Sequence, residues 1–228
     1  MKFLRYEWFR KLFGKSKREK RAFPNWIVKT NEERIQNKTT MFEIEKRKGT
    51  EFTVTEKLDG QSATYFLRKT RWKKYEFGVC SRNIRLYKPD TSSYWKIAKK
   101  LDIEHVLREL IGNNSSVILQ GEIVGPGIQG NKYKLDDLNF FAFNLIFPDR
   151  RVNTLNMPFY LSVHDISTVP ILKDRTLLKD SIAEMVDSAR DMSELLDTQK
   201  REGVVWRNLD RTISFKVINP DFSLDEEE

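Results

Sequence analysis

The chain has 228 residues, 39% of them hydrophobic and 12% aromatic, with 41 Lys and Arg against 33 Asp and Glu for a net charge of +8. This is enough apolar material for one sizeable core and excludes a disordered chain. No run approaches the roughly 18 apolar residues of a membrane span, and the basic start lacks the apolar stretch and cleavage site of a secretory signal. A single cysteine, Cys80, cannot form an internal disulfide, and two isolated histidines give no zinc spacing, so the cytoplasm is the expected compartment.

Residues 1–22 hold nine Lys or Arg against Glu7 and Glu19, a local +7, which leaves about +1 for everything after them. Phe3, Leu4, Tyr6, Trp8, Phe9, Leu12 and Phe13 interleave with these cations. The leader reads as an amphipathic helix for nucleic-acid phosphates, an anionic membrane or a partner, or as a packed helix followed by a solvated linker. Pro24 breaks the chain, and residues 31–36 predict a short capped helix. After Gly49 the pattern alternates: Phe52 and Val54 with Thr53 and Thr55 lead into Lys57, and residues 62–67 follow the Asp59-Gly60 turn as the second arm of a hairpin. Residues 75–81 form a third strand, with Cys80 an inert member of it, and residues 93–111 one helix closed by Gly112. Strands are expected at 117–124, 138–147 and 158–164, a second long helix at 177–196, strands at 203–207 and 212–218, and an acidic tail at 225–228. With no repeating βαβ unit, the fold class is α+β, built on antiparallel sheets flanked by helices.

Charged residues inside apolar strands mark the chemistry. Glu122 sits between Val117-Ile118-Leu119 and Ile123-Val124, where a carboxylate is costly unless something binds it. Glu202-Gly203 opens the apolar run Val204-Val205-Trp206, and Lys216 is flanked by Phe215 and Val217. Lys57 stands at a strand end one residue from Leu58-Asp59, with Gly60 for a tight turn. Its ammonium becomes a nucleophile only where a dry pocket, a cation or a metal lowers its pKa. Each of these alone also reads as a strand-edge charge facing water. Together with Arg82 they form a set able to hold a polyphosphate and its metal beside a nucleophilic lysine. Gly125-x-Gly127-x-x-Gly130 mimics a dinucleotide loop, but a strand and not a helix is expected after it, so that reading fails. His105, in a helix, and His164, at a strand end, are read as structural.

Lys57-Leu58-Asp59-Gly60, Ser81-Arg82, Gln120-Gly121-Glu122, the 140–144 run Phe-Phe-Ala-Phe-Asn, Glu202-Gly203-Val204-Val205 and Ser214-Phe215-Lys216 follow the motif order of ATP-dependent ligases and messenger-RNA capping enzymes. The chain resembles the ATP-dependent RNA ligases of the covalent nucleotidyltransferase superfamily. The stretch 121–131 resembles RNA ligase sequence after the third motif, and 23–37 resembles the entry to the catalytic domain of the Deinococcus-type branch. The resemblance implies a nucleotidyltransferase (ATP-grasp-like ligase) domain over residues 23–224. ATP and magnesium or manganese would be the cofactors, with RNA 5′-phosphate and 3′-hydroxyl ends, possible in a nicked duplex, as substrates for repair or nick sealing. Lys57 would form a lysyl-AMP intermediate; Lys216 would contact the α-phosphate; Glu202, with Asp59, would serve the metal. Glu122 would bind the ribose, Arg82 the ribose or a phosphate, and Phe143 would stack on adenine. Gly60 would allow the close approach of the motif, and Glu56 would contact the base.

Two departures accompany the resemblance. The last motif commonly has two lysines separated by one residue, and its first position here is Ser214; Asn144 stands where many relatives have Asp. The residues flanking 23–224 are too few for a separate RNA-binding domain, so the expectation is that the leader grips phosphates instead or that a partner subunit supplies the domain. A GTP-dependent capping guanylyltransferase, a DNA ligase and a catalytically silent RNA-binding relative stay open as alternatives, and so does a viral origin, for which the compartment would be the host cytoplasm.

Overall fold

The computed structural model describes residues 21–87 and 91–222; the basic leader up to residue 20 and the acidic tail lie outside the described residues. In chain order the elements are β1 (Arg21–Ala22), α1 (Thr39–Lys48), β2 (Phe52–Lys57), β3 (Gln61–Lys69), β4 (Tyr75–Cys80), β5 (Ile84–Leu86), α2 (Ser93–Lys100) and α3 (Ile103–Ile111). There follow β6 (Ser116–Val124), β7 (Asn139–Ile146), α4 (Met157–Leu161), β8 (Ser167–Thr168), β9 (Ile171–Thr176), α5 (Ile182–Asp187), β10 (Met192–Ser193), β11 (Leu196–Lys200), β12 (Gly203–Asn208) and β13 (Ser214–Ile218).

The strands form a seven-stranded sheet, β1-β5-β4-β3-β6-β7-β8, a four-stranded sheet, β13-β12-β2-β9, and the small hairpin β10-β11. All pairings are antiparallel except β7 with β8, which confirms an α+β domain of antiparallel sheets flanked by helices. Period-two alternation sorts the side chains of the larger sheet. Ala63, Tyr65 and Leu67 of β3 join Val117, Leu119 and Ile123 of β6 in a core covered by α2 and α3, whose Ile97, Ile103, Val106 and Leu107 are buried. Burying each such aliphatic group contributes about 2 kcal/mol. Thr64, Gln120 and Glu122 fall on the opposite face, toward the smaller sheet. There Phe52, Val54, Val204, Trp206 and Phe215 build a second core under α5, leaving Thr55, Lys57, Val205, Arg207 and Lys216 on the face turned to the larger sheet.

Several expected elements differ. Strands β2 and β3 do not pair as a hairpin: β2 lies between β12 and β9, β3 between β4 and β6. The turn at Asp59-Gly60 is thus the crossing from one sheet to the other. A Cβ on Gly60 would stand 2.3 Å from the Ile123 carbonyl oxygen, so only glycine allows that crossing. The 93–111 helix is two helices, because Asp102 at φ 43° breaks the run. Residues 158–164 are helical and not extended, with Pro158 in the first turn of α4 and His164 ending a 3₁₀ turn. The long helix at 177–196 shrinks to α5, capped by Ser181 Oγ accepting from the Glu184 amide at 3.1 Å, and its last residues enter the β10-β11 hairpin. The 31–36 helix is only a 3₁₀ turn, Ile35–Asn37. Helix α1 was not anticipated; it ends on Gly49 at φ 66° after Lys46, Arg47 and Lys48, cations suited to a helix C-terminus.

Candidate active site

A cleft of about 420 Å³ opens between the two sheets and is lined by all nine expected site residues: Glu56, Lys57, Asp59, Gly60, Arg82, Glu122, Phe143, Glu202 and Lys216. That volume suits a small-molecule ligand. Strand register brings most of them together. Lys57 pairs with Gly203 and Thr55 with Val205, while Val205 also pairs with Lys216. The residue before Gly203 is therefore beside the Lys57 side chain, and the Lys57 ammonium forms an ion pair with Glu202 Oε2. Gly203, at φ 155°, allows the strand to start so close to β13, where a Cβ would stand 2.2 Å from the Val217 carbonyl oxygen.

Glu122 arrives from the larger sheet. Burial pushes its carboxyl up to about 8, against the nearby Lys57 charge, which favours ionisation. Glu202 is also raised, again by burial, which outweighs its pairing with Lys57. Lys216 is lowered, first by burial and then by the Lys57 charge. Perturbed acids and a perturbed lysine gathered in one cleft mark it as a candidate functional site.

Phe143 owes its position to a β-bulge. Gln120 pairs with Asn144 and Gly121 with Ala142, so Phe143 is the extra residue and its ring turns into the cleft. Arg82 donates to Asn31 Oδ1 at 3.0 Å. Asp59 is held from three sides: Lys132 Nζ at 2.9 Å and Gln129 Nε2 at 3.2 Å on its carboxylate, and its backbone N–H donating to Tyr133 Oη at 2.8 Å. Glu56 lines the cleft while being held by groups of the neighbouring hairpin. Alternation turns it away from Lys57, and its carboxylate accepts from Ser193 Oγ at 2.5 Å and from the Glu194 amide at 2.9 Å, buttressing β2 against the β10-β11 hairpin.

For a divalent cation the donors present are oxygens, the carboxylates of Asp59 and Glu202 with Glu122 nearby. Among the described residues no three His, Cys, Asp or Glu side chains form a closed metal cluster. Few carboxylates on an open cleft fit a hydrated magnesium or manganese ion that keeps most of its waters. Asn144 takes no part: it is buried, donates to Gln120 Oε1 at 2.8 Å and accepts from Arg211.

Sequence reasoning missed other residues of the site. The segment at residues 30–34 lies along β13, where the Lys216 amide donates to the Glu33 carbonyl at 2.8 Å and Ser214 Oγ donates to Glu32 at 2.5 Å. Arg207, 3% exposed, stands directly opposite Ser214, 5.8 Å from the Phe143 ring centroid and 3.5 Å from Glu32, and its Nε has no partner. An adjoining lobe of about 490 Å³ is lined by Arg34, Lys132 and Lys216 and shares Asp59 and Glu202 with the first. The one signal for Arg207 was a cation inside an apolar strand, the pattern that did single out Lys216.

A protein-family profile for RNA ligase matches residues 50–218, about three quarters of the chain. The chain belongs to the RNA ligase family. Solved structures agree: a mutant Naegleria gruberi RNA ligase with ATP and Mn is 32% identical with a TM-score of 0.79, covering 90% of this chain and 60% of that one. A second mutant of that ligase with ATP and Mn is 31% identical with a TM-score of 0.81, covering 92% and 61%. A third was solved with AMP and Mn, at 32% identity and a TM-score of 0.79. The chain thus spans about 60% of the length of these ligases. No curated protein sequence matches it. Arg207 stands one strand over from Ser214 at the same register, on the same face as Lys216. No helix of the described residues is long and apolar enough to cross a membrane.

Proposed function

We propose that the chain is the ATP-dependent nucleotidyltransferase domain of an RNA ligase. The amine of Lys57 attacks the α-phosphorus of ATP; an N–P bond forms, the bond to the β-phosphate oxygen breaks, pyrophosphate leaves and the lysine loses a proton. AMP is then passed to a 5′-phosphate oxygen of RNA, and a 3′-hydroxyl displaces AMP to give a phosphodiester, the chemistry of strand repair or nick sealing. The observation that carries this reading is the Lys57–Glu202 ion pair set among Lys216, Glu122, Arg82 and Phe143 in one cleft.

The individual roles follow from charge and geometry. Lys216 offers a cation to the α-phosphate. Glu202 and Asp59 would hold a divalent ion, which would supply positive charge to neutralise the phosphates. Glu122, held partly neutral, can donate to as well as accept from ribose hydroxyls. Phe143 stacks on the adenine, steadied from behind by the Arg207 guanidinium. The lobe with Arg34 and Lys132 suits the β- and γ-phosphates. The stretch at 23–37 favours the Deinococcus-type branch, and the departures at Ser214 and Asn144 are compatible with it.

The test is sealing itself. Incubation with manganese, ATP and a nicked RNA duplex carrying a 5′-phosphate should yield adenylylated RNA and joined product, and Lys57→Ala should yield neither. Product with GTP alone would move the chain to capping chemistry, and equal sealing of an all-DNA nick would remove RNA from the assignment.

A further inference from the structure

The hairpin joining β3 to β4 points away from the cleft, at the far end of the larger sheet. From Gln61 at the cleft to Lys69 at the tip, β3 rises about 27 Å at roughly 3.4 Å per residue. Residues 68–76 hold five Lys or Arg against one acid, Glu76, which is taken by Arg68 and Arg85. At the apex Trp72 is 90% exposed, with φ 69° and ψ 30°. A bulky side chain is disfavoured in this left-handed conformation, and here it turns the indole into solvent. The turn is otherwise firmly made: the Thr70 amide donates to the Lys74 carbonyl at 2.7 Å, and Thr70 Oγ1 to the same oxygen at 3.0 Å. Among the described residues no hydrogen bond, ion pair or ring contact engages the side chains of Arg71, Trp72 or Lys74. Behind the tip, Tyr75, 40% exposed, has the Arg108 guanidinium 4.9 Å from its ring centroid, and Lys69 Nζ donates to the Gly112 carbonyl at 2.8 Å.

We propose that this tip is a second RNA contact, a stacking platform for an unpaired nucleotide of the strand engaged at the cleft. A flat aromatic ring held clear of the surface and flanked by free cations recognises a polyanion whose bases have open faces. A duplex hides its base faces except at its ends, so the chemistry selects unpaired RNA over paired. The cations supply affinity through phosphate contacts, and the indole supplies a base-stacking term insensitive to sequence. The inference rests on the RNA ligase reading for the nature of the polymer, and it adds a site about 27 Å from the chemistry, as the rise of β3 requires.

The experiment uses the full chain with Trp72→Ala, Trp72→Phe and the double variant Arg71→Ala/Lys74→Ala. Affinity for a labelled, unstructured oligouridylate is measured by anisotropy across a salt series, with covalent labelling by ATP as a parallel readout. The expected result is about tenfold weaker binding for Trp72→Ala, most of the affinity kept by Trp72→Phe, and a salt slope shallower by about 1.4 for the double variant. Labelling by ATP should be unchanged in all three. Wild-type affinity in Trp72→Ala, or binding of the duplex alone, would overturn the platform while leaving the ligase reading intact. Weakened RNA binding in a protein that takes no label would support the platform and remove the ligase reading instead.

Discussion

Lys57 is paired with Glu202 because β2 and β12 are in register at Lys57 and Gly203, so that the glutamate one residue upstream meets the lysine ammonium. Glu202 is also one of the two carboxylates that would hold the divalent ion, so its charge serves both the lysine and the metal. Glu202→Gln should therefore raise the manganese concentration for half-maximal adenylation by roughly 10- to 100-fold, the usual cost of altering groups around a metal. Titrating manganese in a single-turnover adenylation assay checks this. An unchanged metal requirement would show that Glu202 serves only the lysine.

Arg207 is buried opposite Ser214 and shares Glu32 with it. Arg207→Ala removes the cation beside Glu32, whose side chain is 26% exposed, together with the 2.8 Å hydrogen bond that Arg207 donates to Thr55 Oγ1, and should cost about 2 kcal/mol of stability, in the range for hydrogen bonds to charged groups. Ser214→Ala removes one hydrogen bond and should cost about 1 kcal/mol. Urea unfolding of the two variants measures the difference. Equal, small losses would place Arg207 outside the structural account.

Glu122 makes stability fall as pH rises. Its folded pKa is raised from 4.5 to about 8, so the folded protein binds more protons than the unfolded chain across that window. In chelator, the melting temperature of the free protein should fall between pH 4.5 and about pH 8, and Glu122→Gln should remove most of that slope while weakening nucleotide binding. Parallel melting curves of the two proteins decide it.

Cys80 lies fully buried in β4, and burial pushes its thiol up to about 12. The thiolate is the reactive form, so the native protein at pH 8 should resist iodoacetamide and react fully once unfolded. Mass spectrometry of alkylated samples gives the answer, and rapid modification of folded protein would contradict the buried position.

The site was legible in the sequence because its chemistry required charged residues in apolar strands, and Glu122, Glu202, Lys216 and Lys57 all violate their local pattern. What the sequence concealed was set by long-range pairing. An Asp-Gly turn signals a reversal but not whether the strands after it share a sheet, and at Gly60 they do not. Ile182, Met185 and Val186 have helical spacing, but the run beyond them is a hairpin fixed by the tertiary bonds of Ser193 and Glu194 to Glu56. Lys132 and Gln129 were passed over because a loop has no periodicity to break. Phe143 was read from the family resemblance, whereas the bulge that aims it exists only in the pairing of β6 with β7.

The most direct measurement is the mass of the intact protein after incubation with manganese and ATP, followed by peptide mapping. The account predicts a gain of one AMP on the peptide carrying Lys57, lost in Lys57→Ala and retained when the RNA substrate is omitted. AMP on a different lysine, or none on folded protein, would contradict it.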